Sequence, residues 1–171
     1  MEIIEEIRNQ NRKPKELVAF LADSIKKDEK LFLQLIEILK TGSDVEKGTC
    51  ADIMKHVSKG RPDIVVPYIK DITEYINYKL PRVKWGIPEA IGNVSQKFPK
   101  EVERAIPKLL ENTKDQSTVV RWCAAFALSE IVKSNTKIRS TLVPQITKIA
   151  KKEKNNGVKN VYLKALKVIN K

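Results

Sequence analysis

Residues 120–131 read VRWCAAFALSEI, a stretch in which small and apolar side chains occupy almost every side of a helix. A helix facing solvent needs only one apolar stripe, so a segment apolar all round has neighbours on several sides. Thirty-seven residues earlier the chain carries a near copy, VKWGIPEAIGNV at 83–94. Val83-Lys84-Trp85 falls on Val120-Arg121-Trp122, Ala90-Ile91 on Ala127-Leu128, and Val94 on Ile131. One step on, Val158-Lys159 matches Val120-Arg121 at a spacing of 38, with Ala165-Leu166 and Ile169 in register. Backwards by 37 the copy is fainter: Ala51, Ile53, Met54 and Val57 fall on Pro88, Ala90, Ile91 and Val94. A period of this length marks units that bury their apolar faces only against the next unit.

Between these segments lie further helical stripes, such as Leu31, Leu35, Ile38 and Leu39, or Ile64, Val65, Ile69, Ile72 and Ile76. Breaks are short and rich in turn and start residues: Gly42-Ser43-Asp44, Gly60-Arg61-Pro62-Asp63, Asp115-Gln116-Ser117 and Asn155-Asn156-Gly157. Period-2 alternation is scarce. Helices of about 12–18 residues in antiparallel hairpins account for the pattern. Val66-Pro67, Ile106-Pro107 and Val143-Pro144 recur within or near the starts of the second helices. Local bends or delayed starts are the only reading the sequence offers for Pro67, Pro107 and Pro144.

Asp115, Val120-Arg121, Ala124-Ala125, Ala127-Leu128 and Ile131 together resemble the first-helix signature of HEAT repeats. The resemblance implies an all-α fold, a right-handed α-α superhelix of about four helix pairs plus a terminal helix. Its repeats would occupy residues 14–42, 44–78, 79–114 and 115–153 of a single domain spanning 1–171. A final helix would follow at 157–170, and a short extra helix would precede at 2–9. Pro88 falls inside a first helix, where it should kink it. The repeat at 79–114 has no acid in its turn, so no unbroken Asp–Arg ladder is expected. Solenoids of this kind bind along a concave surface lined by second helices.

Charge is the strongest compositional fact. The net charge is +12, and from Lys133 to Lys171 there are eleven Lys or Arg against one acid, Glu153. The other 132 residues hold 22 basic and 20 acidic side chains, so the last quarter is a basic block on a near-neutral body. Such asymmetry favours an acidic partner. No run of eighteen apolar residues suggests a membrane span, and the acidic start MEIIEEIRNQ is unlike a secretory signal. Cys50 and Cys123 lie singly in apolar helical patterns, which suggests a reducing cytoplasm and neither zinc nor disulfides.

No phosphate-loop, dinucleotide, nucleophile-elbow or HExxH motif is present. The one histidine, His56, reads as a helical side chain without convergent partners, and no cofactor or metal is expected. Trp85 and Trp122 occupy equivalent positions, with Glu89 one turn beyond Trp85. They resemble the tryptophans and carboxylate that alkylpurine DNA glycosylases with HEAT-like repeats set along a basic groove. As structural residues, both indoles would instead fill gaps between repeats. Lys148, Lys151 and Lys152 share one helical face, Lys164, Lys167 and Lys171 share another, and Lys137, Arg139 and Lys154 extend the patch. The expected function is a non-enzymatic binding module for a protein or other acidic partner, with nucleic acid as the alternative. Self-association through the apolar terminal helix is a further use of that end.

Overall fold

Three of the long helices begin where a polar side chain satisfies a first free N–H group. Ser43 and Glu46 cap each other reciprocally, Glu46 Oε2 accepting from the Ser43 N–H at 2.7 Å. Ser117 Oγ accepts from the Val120 N–H, and Asn155 Oδ1 from the Val158 N–H at 3.1 Å. A computed structural model describes residues 1–171. The α-helices are α1 (Ile3–Arg8), α2 (Pro14–Lys27), α3 (Phe32–Thr41), α4 (Asp44–Gly60), α5 (Pro62–Val65) and α6 (Ile69–Thr73). They continue with α7 (Pro81–Ser95), α8 (Ile106–Asn112), α9 (Thr118–Ser134), α10 (Arg139–Lys152) and α11 (Asn156–Ile169). No strand is present.

The first helices α2, α4, α7, α9 and α11 pack side by side in one row, and α3, α5–α6, α8 and α10 lie against them. Helix α9 touches α7, α8, α10 and α11. That is why VRWCAAFALSEI is apolar all round: Val120, Cys123, Ala124, Ala125, Ala127, Leu128 and Ile131 are all buried. Small residues set the spacing of the row. A Cβ on Gly86 would lie 2.6 Å from the carbonyl oxygen of Ala51 on α4, and one on Gly92 2.7 Å from the Phe126 ring on α9. At Gly86, where the obstacle is backbone, only glycine permits so close an approach.

The second helices are less regular, and their prolines now have positions. Pro67 sits in a 3₁₀ segment, Val66–Tyr68, that separates α5 from α6. Pro107 lies in the first turn of α8, behind the 3₁₀ turn Glu103–Ala105, where its missing N–H has no helical partner to lose. Pro144 lies within α10, which runs on through it, as α7 does through Pro88.

Polar contacts tie each repeat to the next at nearly constant separation. Lys84 Nζ pairs with Asp115 Oδ2 at 2.8 Å, and Arg121 Nε with Glu153 Oε2 at 3.0 Å. One repeat earlier, where no acid stands in the turn, Lys47 Nζ donates to the Tyr78 hydroxyl at 3.3 Å and lies over its ring. Tyr78 thus fills a rung that a search for acids alone passes over: a neutral oxygen and a π-face replace the carboxylate.

Candidate functional site

Two successive second helices, α8 and α10, do not close on each other, and a groove of about 790 Å³ lies between them. Pro107, Leu110 and Ile149 supply its few apolar contacts. At its base Arg121 is held by Glu153 and by the backbone oxygens of Asp115 and Gln116, each 3.0 Å from Nη1. Lys84 occupies Asp115, so both base carboxylates are already neutralised. Around the groove stand Lys114, Lys148, Lys152 and Lys154, none with a carboxylate in ion-pair range, against one unpaired acid, Glu111.

The basic residues singled out in the sequence therefore separate. Lys148 and Lys152 line the groove, whereas Lys151, on the same helix, does not. Lys164 and Lys167 are exposed on α11, outside it. Arg139 is drawn into structure, since its guanidinium caps the end of α9 by donating to Val132 O at 2.9 Å and Lys133 O at 2.7 Å. Lys114, from the preceding repeat, was not in the sequence set: it lies outside the basic block and reaches the groove only because repeats stack. On α11, Val158, Tyr162 and Ala165 are buried while Leu163 and Val168 remain exposed.

The base carboxylates have displaced acidities. Burial alone would push Asp115 and Glu153 up, but hydrogen bonds from Lys84 and Ser117 to the first, and from Arg121 and Asn155 to the second, bring both below the ordinary range. Glu46 is lowered chiefly by its hydrogen bond from Arg8. A carboxyl lowered on folding stabilises the chain above its unfolded pKa of about 4 and loses that contribution as pH falls through the folded value. Urea midpoints should hold from pH 7 to pH 5 and fall between pH 4 and pH 2. Glu153→Gln should flatten part of that fall; equal midpoints at pH 7 and pH 3 would contradict the assignment.

Trp85, Trp122 and Glu89 lie on α7 and α9, and none lines the groove. Trp85 is half-buried, with its Nε1 buried and without an acceptor. Trp122 is 39% exposed and stacks on Phe126, ring centroids 5.8 Å apart and 4° from parallel. Glu89 accepts from the Cys123 thiol at 3.6 Å, and burial pushes that thiol up, away from reactivity. His56 is lowered by burial first and by Lys55 next. No group of His, Cys, Asp and Glu side chains converges as metal ligands would, and no helix is long and apolar enough to cross a membrane.

No protein-family model and no curated protein matches the chain. Solved structures do. A designed armadillo repeat protein, in complex with the peptide (KR)4, superposes with a TM-score of 0.74 over 98% of this chain and 80% of its own. The fold is an armadillo/HEAT-like α-solenoid. A second structure, of an engineered protein, has a TM-score of 0.77 over 97% of this chain and 78% of that one. Both are 14% identical in sequence, so the likeness is one of fold. In this solenoid the groove lies between the second helices of adjacent repeats, where an edge of the stack stays open.

Proposed function

We propose that the solenoid is a non-enzymatic binding module whose basic C-terminal surface receives an acidic region of a protein partner. The observation that carries this reading is the absence of internal counter-ions. Of the eleven Lys and Arg residues from Lys133 to Lys171, only Lys133 pairs with a carboxylate, that of Glu130. Capping a repeat stack requires polarity, which mixed charges supply; ten cations without a carboxylate partner instead create a positive field that an anionic partner neutralises. The designed armadillo protein is in complex with a basic peptide. On this chain it is the uncompensated lysines, not the neighbour's ligand, that call for an acidic peptide. A cytoplasmic setting, which keeps thiols such as those of Cys50 and Cys123 reduced, suits the reading.

Fluorescence anisotropy of labelled polyglutamate, and of single- and double-stranded DNA and RNA, at about 50 and 200 mM salt tests the proposal. Salt-sensitive binding of polyglutamate is the expected result. Binding of nucleic acid alone would replace it with the nucleic-acid reading and direct attention to Trp122 and Glu89. Binding of neither at low salt would remove the acidic partner altogether. Sedimentation of the free chain reports separately on whether Leu163 and Val168 of α11 serve self-association.

A further inference from the structure

The groove between α8 and α10 is narrower in meaning than the basic surface around it. It holds four unpaired lysines from two repeats, while Lys164 and Lys167 lie outside it on α11. Its wall runs from Gln145 to Lys152, eight residues of helix and so seven steps of 1.5 Å, about 10 Å, room for about three extended residues. The lysines come from opposite walls: Lys114 from beyond the end of α8, Lys148 and Lys152 from α10, and Lys154 from the turn that follows. A chain lying between the walls would meet cations on both sides and an apolar strip of Pro107, Leu110 and Ile149.

Resting on the binding-module reading, we infer that this groove is the recognition site for a short extended segment rich in aspartate and glutamate. The segment lies along α10, its carboxylates alternating between Lys114 on one wall and Lys148 and Lys152 on the other. Charge complementarity selects it, because the base acids are held by Lys84 and Arg121 and leave only Glu111 to oppose an incoming carboxylate. Single-stranded nucleic acid fits less well, since no aromatic ring lines the groove for bases to stack upon.

The test titrates a fluorescein-labelled octapeptide of alternating Asp and Glu at about 50 mM salt. Saturable binding is expected, weakened about tenfold by Lys148→Glu/Lys152→Glu and less than about threefold by the equal charge change Lys164→Glu/Lys167→Glu. Glu111→Lys should tighten binding, whereas Glu37→Lys, on α3, should leave it nearly unchanged. These side chains are exposed, so the variants keep the fold, which circular dichroism verifies. Equal weakening by both double variants, or polyglutamate binding without octapeptide binding, would overturn the groove and leave the acidic-partner reading standing. Displacement of the peptide only by nucleic acid, with the α11 variants suffering most, would overturn it too. Failure of both acidic ligands would remove the reading on which the inference rests.

Discussion

Gly86→Ala should destabilise the chain by about 2–3 kcal/mol, the reverse of what helix propensity dictates. In an exposed helix the same change gains about 1 kcal/mol, because alanine loses less backbone freedom. Here the added Cβ meets the Ala51 carbonyl carbon at 2.7 Å and its oxygen at 2.6 Å, both backbone atoms of a packed helix. Neither can rotate away, so α4 and α7 must separate, and the contacts of two repeats are strained together. For a domain of this size the melting temperature should fall by roughly 4–12 °C. Gly92→Ala is the control. Its nearest obstacle is the Phe126 ring, a half-buried side chain able to swing outward, while the Ala127 Cα at 3.1 Å needs only a small shift, so the loss should be smaller, about 1 kcal/mol. Equal effects at the two positions would mean that α4 and α7 are less tightly apposed than described.

Arg121→Met should cost about 3 kcal/mol. The guanidinium holds the buried Glu153 carboxylate and closes the Asp115–Gln116 turn through two carbonyls. Removing it leaves a charge whose side chain is only 6% exposed without its cation, the most expensive way to break such a pair. Part of the penalty is avoided because Glu153 still accepts the Asn155 N–H at 2.9 Å. Glu153→Gln should cost less, about 1 kcal/mol, since the amide oxygen can keep that bond. The double variant should be no less stable than Arg121→Met alone, a coupling that thermal melts of all four chains would measure. Strict additivity would mean that the two side chains do not act as one rung.

The helical class, the period of 37 and the stacking were legible because packing imposes them on the residue pattern: a helix with neighbours on several sides must be apolar on several sides. Caps were legible for the same local reason, Ser43, Ser117 and Asn155 each standing where free N–H groups need an acceptor. The basic block was visible as composition. Its division was not: Lys148 and Lys152 share a spacing with Lys151, yet only the first two face the groove. Lys114 joins them from thirty-four residues away, and Arg139, counted with the patch, is spent on the end of α9.

Sequence alone determined that this chain is a stack of helix pairs with a cationic end, because period and charge are properties of the order of residues. Tertiary structure alone decided which cations converge, which acids are already neutralised, that Tyr78 completes a rung without an acid, and that Gly86 has no room for a methyl group. Those depend on distances between neighbouring repeats, set by how closely helices approach, and separation along the chain does not encode that approach.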